Sequence, residues 1–205
     1  MLEELMLHVK ITDSILHDRL RWQVDAQLAF GVCHHVMGPN GAGKTTFLEE
    51  LKLHWKTLFP TALLGFCDQA PLAPFQDLTV EAVMNLVWDI TDGRHETKHW
   101  RDLSGWQDVE ALKLLPRLVS QLSGGENQWV KILMMRSLQS DVWMMDEPFQ
   151  SLDQNRQENL LNLLQAWIAS GKTLILVHHG EVKINPKKSW QLDCAALGVQ
   201  LRELP

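Results

Sequence analysis

The stretch that most constrains this chain runs from Val32 to Thr46, where VCHHVM is followed directly by GPNGAGKTT. A short apolar run of strand length meets a turn with three glycines and then TFLEELKLHW, whose apolar residues recur at helical spacing. A strand that passes through such a turn into a helix brings backbone N–H groups together at the helix N-terminus, where they and the helix dipole favour an anion. Gly38, Pro39, Asn40, Gly41, Ala42, Gly43, Lys44 and Thr45 fit G-x-x-x-x-G-K-[ST], with Thr46 next in line. In that pattern the lysine reaches the β and γ phosphates of a nucleotide, and the Thr45 hydroxyl binds Mg²⁺.

The rest of the chain agrees with a fold built around that unit. ALLGFC, VWMM and TLILV are further short apolar runs, and helical patterns such as TVEAVMNLVWDI and LDQNRQENLLNLLQAWIA alternate with them. Alternation of this kind predicts an α/β fold, a P-loop NTPase core with a mainly parallel sheet. About residues 70–122 hold helical patterns and polar connections with no convincing strand, and are expected to form a helical lobe. It is set into a core of about residues 1–69 and 123–205, within a single domain spanning 1–205. SWQLDC and ALGVQLRE read as a terminal hairpin.

Composition narrows the function classes. Nineteen Lys plus Arg against twenty-five Asp plus Glu give a net charge of −6, so no basic field favours nucleic acid. KINPKKS is locally basic and reads as solvated surface. Three separated cysteines without a CxxC point to reduced thiols in a cytosolic protein. No segment approaches the roughly 20 apolar residues that span a bilayer, so work at a membrane requires docking on another chain. His95 and His99 share helical spacing but have no visible third ligand, and read as surface residues.

A second strand supplies acids. VWMMDEP ends in Asp146 and Glu147, stopped by Pro148. Asp146 is placed to hold Mg²⁺ and Glu147 to poise an attacking water as general base, which favours hydrolysis over transfer to a second substrate.

The helix that begins in SQLSGGENQWVKIL accepts two glycines in its first turn, roughly 1 kcal/mol less favourable each than alanine. Ser123 and Glu126 spell a capping box and are accounted for within the chain. Gly124 and Gly125 are not. Bare backbone there would let an anion approach, and because the chain already owns a phosphate loop, that anion would belong to a partner's nucleotide.

Taken in order, GPNGAGKTT, Gln69 after LLGFCD, LSGGENQ, VWMMDEP, SLD and a histidine after TLILV resemble the ATP-binding cassette (ABC) ATPases over nearly the whole chain. The resemblance implies a head-to-tail dimer with two ATPs sandwiched between the subunits. Ser123 and Gly125, with Gly124 and Glu126 beside them, would form the signature that meets the γ-phosphate of the opposite subunit's ATP. Gln69 would reach Mg²⁺ or the attacking water, Asp153 would sit at the dimer seam, and His179, rather than His178, would contact the γ-phosphate. Glu147, His179 and Gln69 are thus the expected catalytic residues, and Thr45, Asp146 and Gln69 the expected Mg²⁺ ligands. A homodimer is the economical assembly, and a heterodimer stays open.

Three departures from the family pattern bear on these expectations. Residues 1–21 contain no Phe, Trp or Tyr to stack on the adenine, and Lys10 or Ile11 falls near that place. The interval from Lys44 to Gln69 is short, so the antiparallel β arm is expected to be shortened. Trp129 stands where relatives carry arginine and is expected to pack on a partner. The implied function is the ATP-hydrolysing subunit of an ABC transporter, cytoplasmic and peripheral on the membrane, gripping a separate membrane-spanning permease near Gln69–Met84. A soluble non-transport ABC ATPase, for example of iron-sulfur assembly type, is the alternative. A P-loop kinase or GTPase leaves LSGGENQ unexplained.

Overall fold

The computed structural model describes residues 6–16, 20–91, 99–103, 106, 108–178, 184, 188–195 and 198–204. The expectations for His95, His179 and most of KINPKKS lie outside them. Among the described residues the strands are β1 (Met6–Leu16), β2 (Leu20–Ala29), β3 (Cys33–Met37), β4 (Leu64–Cys67), β5 (Val142–Asp146), β6 (Thr173–Val177), β7 (Lys188–Ala195) and β8 (Gly198–Leu204). They form one sheet in the order β1-β2-β8-β7-β3-β6-β5-β4. β4, β5, β6, β3 and β7 run parallel to one another, while β1–β2 and β7–β8 are antiparallel hairpins at the other side. Between α1 (Lys44–Leu58) and β4 there is no strand, so the antiparallel portion of the sheet comes from the two terminal segments.

Both faces of the parallel strands are covered, which is why their sequences read as continuous apolar runs rather than alternating ones. Successive side chains still point to opposite faces. Val142, Met144, Ile175 and Val177 pack with Phe47, Leu48, Leu51 and Trp55 of α1 and with Val24, Ala26 and Leu28 of β2. Trp143, Met145, Leu174 and Leu176 face the opposite cluster, built from α2 (Val80–Ile90), α3 (Val109–Leu114), α4 (Gly124–Ser137) and α5 (Gln154–Ala169). There the Trp143 and Trp167 rings stack at 3.8 Å. Gly65 on the neighbouring strand makes room for them, because a Cβ would stand 2.5 Å from Trp143 Cδ1.

The helical segment is held together by tryptophan. Trp100 and Trp106 are fully buried with ring centroids 5.0 Å apart, and Trp100 Nε1 donates to Asn85 Oδ1 at 2.9 Å. Val80, Val83, Met84 and Val87 form the buried stripe of α2, whose cap is Thr79, accepting from Ala82 N. Trp129 corrects the expectation drawn from its unusual place: it is 1% exposed and belongs to its own chain's core, not to a partner's surface. Lys10 and Ile11 likewise sit inside β1, paired with Asp25 and Val24, and not after the strand.

Candidate active site

The parallel register places the ends of four strands along one edge. β3 delivers the glycine turn, β4 leads through Asp68 to Gln69, β5 ends on Asp146 and Glu147, and β6 is followed by His178. Ligands of open α/β sheets bind outside the carboxyl ends of the strands. At that edge Asn40, Gly41, Gly43, Lys44, Thr45, Thr46, Gln69, Asp146 and Glu147 line one cavity of about 460 Å³.

The turn earns its glycines at Gly41 and Gly43, whose φ angles of 79° and 88° lie in the left-handed region that side chains rarely adopt. Gly43 is also the cap of α1, so the helix opens with free N–H groups at the cavity. Lys44 is buried, and its Nζ donates to the Gly38 and Pro39 carbonyls at 3.0 Å each. Ala42 N donates to Pro39 O at 3.2 Å, closing the turn. Thr45 Oγ1 donates to Asp146 Oδ2 at 2.6 Å, joining the phosphate loop to β5. Burial raises the Asp146 carboxyl above its ordinary range; the Thr45 bond opposes this and the adjacent Glu147 charge adds to it.

Glu147 has a φ of 47°, a sparsely populated conformation for a residue with a long side chain. Its N–H donates to Val177 O at 2.8 Å, which fixes the strained residue against the end of β6. His178 is buried, with its ring edge-on to His35 at 4.8 Å and Nε2 3.4 Å from His35 Nδ1. It points into the protein, against His35 of β3. His34 faces the other way, its Nε2 bonded to Ala29 O at 2.8 Å.

Ser123, Gly124, Gly125 and Glu126 do not line this cavity. Ser123 Oγ accepts from Glu126 N at 3.3 Å and Glu126 accepts from Ser123 N at 2.7 Å, the reciprocal capping box. Arg117 Nη1 donates to Glu126 at 2.6 Å. Burial alone would raise the Glu126 pKa, but the bonds from Ser123 and Arg117 outweigh it and lower it. Gly124 lines a second hollow of about 420 Å³, with Gln69, Glu147, Gln150 and Ser151 among its other walls. The two glycines differ. A Cβ on Gly124 would meet nothing within 4 Å, whereas one on Gly125 would stand 2.3 Å from Ser151 O. Its own chain thus excludes a side chain at Gly125, a requirement that stands beside its expected place in the signature. Asp153 caps α5, accepting from Arg156 N at 2.9 Å and from Arg156 Nη1 at 2.8 Å.

A family model described as ABC transporter matches residues 22–150. The chain belongs to the ABC transporter family. Among the relatives of this ABC ATPase, the zinc transport system ATP-binding protein TroB of Treponema pallidum is 29% identical, over 83% of this chain and 72% of that protein. The thiamine import ATP-binding protein ThiQ of Aliivibrio fischeri is 30% identical, over 77% of this chain and 74% of that protein. In fold it resembles a solved ATP-binding subunit of an ABC transporter, with a TM-score of 0.78 and 20% identity over 92% of this chain and 86% of the other. It also resembles RNase-L Inhibitor, with a TM-score of 0.73 and 19% identity over 96% of this chain, but spans only 39% of that longer protein. This ABC ATPase is an ATP-hydrolysing subunit of a transporter. Among its described residues no helix is long and apolar enough to cross a membrane.

Two features of the site escaped the sequence. Lys131 of α4 reaches back to the residues around Gln69, and Ser151 presses its carbonyl on Gly125. Neither pairing has a local spacing that would signal it.

Proposed function

We propose that two copies of this chain bind two ATPs head to tail, and that closure and reopening of the pair drive a separate membrane-spanning permease. The observation that supports this best is the division of the machinery within one chain. Lys44, Thr45 and Asp146 line one cavity and the open N-terminus of α4 at Gly124 lines another, with Gln69 and Glu147 on the wall of both. A second chain's α4 supplies what the first cavity lacks.

In this reading the N–H groups of residues 40–46 and the Lys44 ammonium receive the phosphates, and Lys44 exchanges the Gly38 and Pro39 carbonyls for phosphate oxygens. Glu147 accepts a proton from the attacking water as general base. The partner's Ser123 and Gly125, with Gly124 beside them, meet the γ-phosphate, Asp153 lies at the seam, and His179 meets the γ-phosphate from its own chain. Thr45, Asp146 and Gln69 present hard oxygen donors, the set that suits Mg²⁺ together with phosphate oxygens. Mg²⁺ held there would neutralise charge on the β and γ phosphates.

TroB and ThiQ are named for zinc and thiamine. Because such different cargoes go with similar cassettes, the permease sets the cargo of this chain, which stays peripheral on the cytoplasmic face. Pull-down of the chain from detergent-solubilised membranes of its source cell tests this. Co-purification of an integral membrane protein, released by substitutions near Gln69–Met84, is the expected result. Recovery of the ATPase wholly free of membrane protein contradicts it.

A further inference from the structure

Lys131 lies two turns along α4 from Ser123, and its side chain is only 8% exposed. Its Nζ donates to the carbonyl of Asp68, to the carbonyl of Ala70 at 2.6 Å, and stands 3.5 Å from Asp68 Oδ1. An ammonium has three donors and no acceptor, and a buried charge is stable only when paired and hydrogen-bonded. All three donors are therefore taken up by the two residues that bracket Gln69. Ala70 N donates to Asp68 Oδ1 at 3.2 Å, closing the same three residues into an Asx turn. Further links run alongside: Asn127 accepts from Leu72 N at 3.4 Å, and Gln128 Nε2 reaches Cys67 Sγ and Pro148 O at 3.4 Å each. Of these, Lys131 alone addresses the residues on both sides of Gln69.

We propose that Lys131 is a positioning residue for hydrolysis, its ammonium clamping the Asp68 and Ala70 carbonyls so that Gln69 is held in the cavity with Lys44 and Glu147. This rests on the reading of Gln69 as a group that meets Mg²⁺ or the attacking water. The clamp belongs to the helix whose N-terminus would receive the partner's ATP, so a shift of α4 on docking is carried into Gln69 of the same chain. An apolar residue at position 131 would leave two inward-facing carbonyls without their donor and Gln69 free to swing.

Lys131→Met and Gln69→Ala, singly and combined, separate this role from a merely structural one. Phosphate release at saturating ATP should fall roughly 10- to 100-fold in Lys131→Met, the scale of a small misplacement at a reacting centre, while affinity for a fluorescent ATP analogue is unchanged. In the Gln69→Ala background, adding Lys131→Met should produce no further loss, because residues acting as one unit are non-additive. Equal losses in both backgrounds, or no loss in either, overturn the proposal. If the unmodified chain hydrolyses no ATP, the functional reading fails and the clamp is judged by hydrogen exchange on the nucleotide-free protein. Lys131→Met should then speed exchange at the amides of Gln69, Ala70 and Leu72 and leave 40–46 unchanged. Uniform acceleration, or none, overturns it.

Discussion

The contrast between Gly124 and Gly125 gives a prediction whose size follows from the structure. A methyl on Gly125 would lie 2.3 Å from Ser151 O, roughly 1 Å short of an ordinary contact. Ser151 cannot yield freely. It sits at a φ of 67°, in a loop tied by Gln150 N to Glu147 O at 3.0 Å and Leu152 N to Phe149 O at 3.3 Å. Alanine gains about 1 kcal/mol over glycine in a helix, and forcing a methyl into an occupied site costs about 1–3 kcal/mol. Gly124→Ala has the gain without the clash, so Gly125→Ala should be less stable than Gly124→Ala by about 2 kcal/mol. For a chain of this size that is a Tm difference of roughly 4–8 °C. Thermal melts of the two variants without nucleotide measure it. Coincident melting, or a more stable Gly125→Ala, would refute the assignment of Gly125 to an intrachain contact.

Gly124→Glu separates stability from function. A carboxylate in the first turn of α4 should leave the stability unchanged or raise it by about 0.3–1 kcal/mol through the helix dipole, while repelling a partner's phosphate and abolishing ATP-driven dimerisation; retention of an ATP-dependent dimer would count against the open helix end as an anion site. His35 offers a pH test. Burial, then the neighbouring His178, pushes its pKa from an ordinary 6.5 down to about 4. The unfolded chain thus takes up a proton before the folded one, so this stability is whole above pH 6.5 and is lost as pH falls toward 4. His35→Leu should lose less Tm than the parent between about pH 7 and about pH 5; an equal loss in both proteins would remove His35 from the account.

Much of this molecule is written in local spacing. The phosphate loop, the Asp146–Glu147 pair and the capping box of Ser123 and Glu126 each depend on neighbours a few residues apart, and a sequence carries such patterns whole. The hairpin of β7 and β8 was legible for the same reason. β1 and β2 carried a signal too, since Leu7, Val9 and Ile11 alternate with His8, Lys10 and Thr12, and Val24, Ala26 and Leu28 alternate likewise and are buried. What no spacing could announce are contacts between distant loops. The Ser151 carbonyl on Gly125 and the Lys131 ammonium at Asp68 and Ala70 exist because the sheet brings the ends of β4 and β5 beside α4. Trp129 misled for a related reason, because an aromatic in place of an arginine suggests a surface role until the core that surrounds it is seen.

The central claim is that an active site is completed by a second chain, and the oligomeric state of Glu147→Gln with ATP tests it most directly. With its general base removed and its phosphate loop intact, this variant should sediment as a monomer alone and as a stable dimer with ATP and Mg²⁺, hydrolysing little. A Glu147→Gln protein that binds ATP and remains monomeric would contradict the account.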